Sequence, residues 1–343
     1  MSENLEFFRE TAERILADTV GTAEIEAAEE RCAPKALLDA LRENGILTML
    51  APEEQGGIDA TLFEAMAIMR AAGYAAAPGP VLETLLGQAL LGRAGITADG
   101  APLALALMPD GIGARPELFD ISWAEAVEHV LVIMPQEDGI RVSRTPRSAW
   151  SIEKGTDAAG EPRDHLHAQE MPVCETFDLP IPFQEVLRQA SLLRAAQMLG
   201  ATEWSFQRSV EYAMERQQFG HEIGKFQAVQ QMLAELADHV LASTVILEAA
   251  GTSDSLMLAA AARARLADAT DAAIAISHQV HGAIGFSREY ALNHRTKRLM
   301  AWRNDYGSIP YWRRTLGRNF LSHSRETLWP AVADAGSELT DRP

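Results

Sequence analysis

The chain has 343 residues, enough for two or three domains and a large core, and its 47% hydrophobic and 23% charged content is that of a globular protein. Its 30 basic and 48 acidic residues leave a net charge of -18, which excludes a broad nucleic-acid-binding face but not a local basic pocket. Cys32 and Cys174 are far apart and lack C-x-x-C or histidine spacing, so they predict reduced thiols in a cytoplasmic protein, with no disulfide framework and no metal site.

The first residues, MSENLEFFRETAERIL, are acidic where a signal peptide is basic, and no stretch reaches the roughly 20 apolar residues of a membrane helix. A soluble, unexported chain is expected. Leu5, Phe8, Ala12 and Ile15 predict a helix over residues 3–17, and Leu37, Leu38 and Leu41 predict another from Lys35 to Asn44, stopped by Gly45. Pro52 to Gly57 reads as a turn. Further helices are expected over Thr61 to Ala71 and Val81 to Leu91, separated by the Pro-Gly-Pro punctuation of residues 78–80.

After Gly100 the pattern changes to short apolar runs, Leu103 to Met108, His129 to Met134 and Gly139 to Val142, broken by Gly, Pro and Asp, as in a small β domain. From Phe183 onward long Ala-rich amphipathic segments return: Gln184 to Glu215, Lys225 to Ala250, Ser253 to Gly282 and Thr296 to Leu321. Four such helices predict a bundle. The expected fold is therefore mainly α with a small β domain: helices over 1–100, a reduced β domain over 101–182, a C-terminal four-helix bundle over 183–334 and a polar tail over 335–343.

The most informative stretch is Tyr212 to Leu236. Glu215, Arg216, Phe219 and Gly220 lie at a helix end where Gly lets the chain turn back. Phe226, Val229, Leu233, Leu236 and Val240 then follow helical spacing and predict a core stripe. Off that stripe, Arg216, Gln218, Gln227 and Gln230 gather hydrogen-bonding groups at one corner. Arg216 can cap the last carbonyls of its helix, or hold a phosphate through its planar fork of donors; both readings stand on spacing alone. His278 and His281 lack a third ligand at metal spacing. Trp302 and Trp312 read as core or interface aromatics, and the basic end, Arg295, Lys297, Arg298, Arg303, Arg313 and Arg314, reads as solvated ion pairs or as a contact for phosphates.

Three ordered strings carry a resemblance. Arg216 to Gln230, R-x-x-F-G-x-x-I-x-x-F-Q-x-x-Q, resembles the flavin-binding signature of the acyl-CoA dehydrogenase family. Gln279 to Tyr290 is similar to the family's downstream Q-x-x-G-G-x-G segment, with Ala283 in place of the second glycine, and Ala51 to Gly57 is similar to its P-E-x-x-G-G turn. The resemblance implies FAD as cofactor. It also implies diphosphate and adenosine contacts from Arg216, Gln218 and Phe219 of one subunit, Gln279, Val280 and Gly282 of a neighbour, and Ser308 from the loop after His294. The family's middle-domain acidic residue, Ala-Gly-Ser-Asp turn and Ile-Thr-Asn strand have no counterpart here.

The implied reaction is α,β-dehydrogenation of an acyl-CoA thioester, with an electron-transfer flavoprotein as acceptor and a carboxylate as base. In most family members that base is a Glu before a Gly-Thr pair. Here Gly307-Ser308 matches the pair and Tyr306 holds the Glu position; a phenol of pKa about 10 is a poor base at neutral pH. Asp305, one residue away, is the candidate base, against the plainer reading of a loop or N-cap carboxylate. Some relatives carry the Glu early in the long helix, but that position is Ala190, with Glu185 five residues upstream. A dimer or tetramer is expected, and three readings follow: an active dehydrogenase, as a homo-oligomer, using Asp305 or an unrecognised carboxylate as base; a non-catalytic chain of a heteromer whose second dehydrogenase-like chain supplies the base; or a scaffold without flavin chemistry. The heteromeric members with such a chain act on bulky substrates such as steroid side-chain thioesters.

Overall fold

The computed structural model describes residues 3–113, 115–324 and 326–330; the polar tail expected over 335–343 lies outside them. The chain forms two compact units, one of the residues up to Ala72 with Ala76–Ala190, the other of Gly73–Ala75 with the chain from Ser191 onward.

The first unit opens with helices α1 (Glu3–Thr19), α2 (Thr22–Glu29) and α3 (Lys35–Glu43). The short α2 has no sequence expectation behind it; the Glu24 carboxylate holds its start by accepting from the Gly21 N–H at 3.0 Å. Ala12, Ile15, Leu16, Leu37, Leu38 and Leu41 are buried, so the apolar spacing marked the inward faces. The turn over residues 51–57 needs its second glycine, since a Cβ on Gly57 would lie 1.9 Å from the Ala51 carbonyl oxygen. Helix α4 (Leu62–Ala75) starts with a reciprocal cap: the Thr61 N–H donates to Glu64 Oε2 at 2.8 Å and the Glu64 N–H to Thr61 Oγ1 at 3.2 Å. Helix α5 (Val81–Arg93) is buried on every side from Val81 to Gly92 and packs against the first strand.

Seven strands follow: β1 (Leu103–Leu107), β2 (Glu117–Ser122), β3 (His129–Gln136), β4 (Gly139–Pro146), β5 (Ser151–Glu153), β6 (Arg163–His167) and β7 (Glu175–Leu179). They form two sheets, β1-β3-β4-β7, in which only the β1-β3 pair is parallel, and β2-β6-β5, which is antiparallel. Ala104, Ala106, Val130 and Val132 of the first sheet share one apolar cluster with Leu118, Ile121 and Leu166 of the second. Arg31 ties the helices to the strands, donating to Glu125 at 2.9 Å and to the fully buried Asp164 at 2.7 Å.

The long helix α6 (Phe183–Glu215) runs into the second unit, where α7 (Gln227–Gly251), α8 (Leu256–His281), α9 (Ala291–Trp302) and α10 (Ile309–Leu321) follow. Two expectations need correction. The single helix expected over Thr296 to Leu321 is two, parted at residues 303–308, where Tyr306 (φ 53°) and Gly307 (φ 103°) take left-handed backbone. The stripe on α7 is also less buried than expected: in the single chain only Leu236 of its five residues is buried, and Leu241 and Val245 stand 65% and 60% exposed. Small side chains permit close approach in this unit. A Cβ on Gly73 would lie 1.8 Å from the Gln197 carbonyl oxygen. Among the described residues no helix is long and apolar enough to cross a membrane.

Candidate functional site

Two places in the second unit gather the residues singled out by sequence: the corner after α6, and the loop between α9 and α10. At the corner, α6 ends at Glu215 and leads into a two-residue hairpin, β8 (Gln217–Gln218) paired with β9 (His221–Glu222). Phe219 (φ 54°) and Gly220 (φ 88°) make its turn with two successive left-handed residues, which suits a tight hairpin. The sequence reading expected only a helix end here. The turn leaves Phe219 at the tip, 89% exposed, with its ring edge-on to Phe226 at 6.1 Å between centroids.

Arg216 and Gln218 are exposed on this hairpin, and the Arg216 carbonyl is taken by the Ile223 N–H at 2.8 Å. Among the described residues the Arg216 guanidinium makes no hydrogen bond and no ion pair, so capping of its own helix finds no contact in support. Gln230 is spent on bracing the turn, its Nε2 donating to the Gly224 carbonyl at 2.9 Å.

The second motif lies beside the first in the same chain. Tyr212, one turn before Arg216, stacks on His281 with centroids 4.4 Å apart, and His281 faces Tyr290 at 5.3 Å. These contacts set the end of α6, just before Arg216, against the end of α8 that carries Gln279. Gln279 and Gly282 are exposed, and a Cβ at Gly282 would meet nothing within 4 Å, so its backbone is open to a ligand. Val280 is 6% exposed, with its side chain in the core, and offers only backbone. Burial holds both His278 and His281 below the ordinary imidazole pKa, so both are neutral at pH 7. The ring orients by short bonds: His281 Nδ1 lies 2.8 Å from the Ser277 carbonyl and His278 Nε2 lies 2.9 Å from Thr296 Oγ1. No group of three or more His, Cys, Asp or Glu among the described residues is arranged to hold a metal ion.

The loop over residues 303–308 is held from several sides. Buried Arg263 donates to the carbonyls of Arg303 at 3.1 Å and Asp305 at 2.9 Å, at the C-terminal end of α9 where carbonyls lack helical partners. Desolvation, aided by repulsion from Arg194, lowers the Arg263 pKa to about 10, which still leaves it charged at neutral pH. Trp312 Nε1 donates to the Tyr306 carbonyl at 3.2 Å. Ser308 caps α10, its Oγ accepting the Tyr311 N–H at 3.3 Å, while its own hydroxyl hydrogen remains available to donate.

Asp305 does not stand alone. Arg194 Nε lies 3.1 Å from Asp305 Oδ2, and the same guanidinium sits over the rings of Trp302 and Tyr306 at 5.5 and 5.7 Å. Arg194 also donates to Gln197. It lies one helical turn beyond Ala190, the alternative base position. The sequence reading missed Arg194 and Arg263 because cations inside Ala-rich helices carry no motif. The basic end divides: Arg303 and Arg313 pair with Asp271 and Asp268 at 2.8 and 2.6 Å, whereas Arg295 is buried, 3.9 Å over the Trp204 ring, with its pKa lowered to about 9 by desolvation. Trp302 and Trp312 are core.

Residues 2–100 match the family model for the acyl-CoA dehydrogenase N-terminal domain, and residues 183–320 match that for the C-terminal domain. The acyl-CoA dehydrogenase IpdE2 of Mycobacterium tuberculosis is 28% identical over 299 residues, covering 86% of this chain and 91% of that protein. The fold is similar to the ChsE4-ChsE5 complex of Mycobacterium tuberculosis, with a TM-score of 0.84 and 20% identity over 94% of this chain and 99% of that one. It is also similar to the Tcur3481-Tcur3483 steroid ACAD, with a TM-score of 0.82 and 21% identity over 92% of this chain and 97% of that one.

Proposed function

Because this chain belongs to the acyl-CoA dehydrogenase family, we propose that it is the base-lacking chain of a two-chain acyl-CoA dehydrogenase. In this reading it holds FAD, and a second dehydrogenase-like chain takes the α proton from a bulky acyl-CoA thioester, such as that of a steroid side chain. Electrons then pass to an electron-transfer flavoprotein. Exposed free thiols at Cys32 and Cys174 suit a reducing, cytoplasmic setting.

One observation carries the reading. The position of the usual glutamate is Tyr306, and the only adjacent carboxylate, Asp305, is already engaged by Arg194 at 3.1 Å. A general base has to reach the proton it abstracts, and this carboxylate is instead held in an ion pair with Arg194. The two similar two-component structures make a shared reaction centre a natural expectation.

The cofactor-binding surface fits FAD on the chemistry of its donors. A guanidinium without a partner among the described residues, in a chain of net charge -18, suits a diphosphate, which it can grip through two parallel N–H groups. Gln218 and Gln279 offer amides, Phe219 an uncovered flat face, Gly282 an open backbone and Ser308 a hydroxyl donor. When bound, FAD supplies the acceptor for the β hydrogen. The residues here orient it and stabilise its charge.

The test is absorption spectroscopy of the chain purified alone and co-expressed with candidate partner chains. Flavin bands that a thioester bleaches only in the mixed complex, and that Asp305→Asn leaves bleachable, support the proposal. Bleaching by the chain alone, abolished in Asp305→Asn, assigns the base to Asp305 and makes the chain a self-sufficient dehydrogenase. Absence of flavin in every preparation, with FAD added, leaves a scaffold of the same fold.

A further inference from the structure

The freedom of Arg216 is unusual in so acidic a chain. Between Ser209 and Ile223 three carboxylates, Glu211, Glu215 and Glu222, flank Arg216 in sequence, and none of them pairs with its guanidinium. Glu211 and Glu215 are both taken by Arg208, at 2.9 and 3.0 Å, on the stripe that the i, i+3, i+7 spacing creates along α6. Glu222, across the hairpin, is taken by Lys225. Glu289, beside Tyr290, is taken by the Ser287 hydroxyl. The Arg208 Nε also donates to the Tyr290 hydroxyl at 3.0 Å, fastening the end of α6 to the segment that carries Gln279 and Gly282.

We propose that Arg208 is a positioning residue, with Lys225 in support: the two occupy the carboxylates nearest Arg216 in sequence, so that the Arg216 guanidinium stays open to an anionic diphosphate. This rests on the reading of the corner as a flavin-binding surface. Without Arg208, Glu215 and Glu211 become free to pair with Arg216 and add negative charge where the phosphates arrive. The effect is local and partly screened, because the pairs are solvent-accessible. Arg208 acts through charge rather than by contact with the ligand.

Four proteins test this in the chain's native assembly: wild type, Arg208→Gln, the triple variant Arg208→Gln with Glu211→Gln and Glu215→Gln, and Tyr290→Phe. FAD and ADP affinities are read by titration calorimetry. Arg208→Gln is expected to bind both about fivefold more weakly, and the triple variant to regain wild-type affinity, because the competing carboxylates are gone. If Tyr290→Phe reproduces the loss and the triple variant does not recover, Arg208 is only a brace and the proposal is overturned. Phenylglyoxal labelling of Arg216, followed by mass spectrometry, reads the same freedom without any nucleotide. Slower labelling in Arg208→Gln and recovery in the triple variant support the proposal; equal rates in all four overturn it. Should the wild type bind neither FAD nor ADP, the flavin reading fails, and the labelling rates still decide the role of Arg208.

Discussion

At the scale of single residues, the sequence exposed what had been replaced more readily than what had been added. Tyr306, where the resemblance expects a glutamate, is visible in one line of sequence, as is the Arg216 motif, because both lie in strings with fixed spacing. Arg194 and Arg263 were not legible, since their partners are 111 and 40 to 42 residues away and only folding brings them to the Asp305 loop. Arg208 lay between these cases: its i, i+3, i+7 spacing to Glu211 and Glu215 was readable, but the freedom it leaves to Arg216 was not. His281 gives a pH prediction. Its ring is buried between Tyr212 and Tyr290, its Nε2 has no hydrogen-bond partner among the described residues, and desolvation lowers its pKa, with Arg208 and His278 adding to the fall and the Ser277 carbonyl opposing it. The unfolded imidazole takes a proton near pH about 6.5, whereas the folded one takes it only at lower pH. The unfolded state therefore carries more protons in that window, and stability falls as pH drops below about 6.5 through the folded value. Urea midpoints at pH 7.5 and 5.0 are expected to differ less in His281→Phe, which keeps a flat ring but has nothing to protonate; an equal loss in both proteins would remove His281 as a source.

At the scale of elements, helices with a clear apolar period were legible and their interruptions were not. The break between α9 and α10 escaped because Leu299, Trp302, Ile309 and Trp312 keep a helical rhythm across it, all four being buried, while Gly307 and Pro310 supply the stop and restart. The hairpin at residues 217–222 is too short to show a strand pattern; its evidence was confined to the Phe219-Gly220 turn. Helix α4 shows why one small residue decides a packing distance. Gly73 lies against the Gln197 backbone of α6, so Gly73→Ala forces the two apart. The variant is expected to lose about 2 kcal/mol or more, despite the better helix propensity of alanine. Chemical denaturation monitored by far-ultraviolet circular dichroism measures it, and a gain in stability would contradict the close approach.

At the scale of the whole molecule, the helix-strand-helix order was readable from composition and period, because each part changes its rhythm at Gly100 and again at Phe183. What one chain cannot reveal by pattern is which apolar face remains uncovered. Along α7, Leu241 and Val245 lie one turn apart and mostly exposed, so they stand outside this chain's own core. Leu241→Asp is expected to leave circular dichroism unchanged and to shift light-scattering mass toward the monomer; an unaltered assembly mass would mean that partners meet elsewhere. The anchoring of the Asp305 loop has a consequence for descent. Arg263 and Trp312 hold the loop by the carbonyls of residues 303, 305 and 306, so much of its path is fixed by neighbours rather than by the side chain at position 306. A lineage could silence or revive its own chemistry by exchanging that one side chain, and two duplicated genes could divide the labour of one enzyme without either having to rebuild its scaffold.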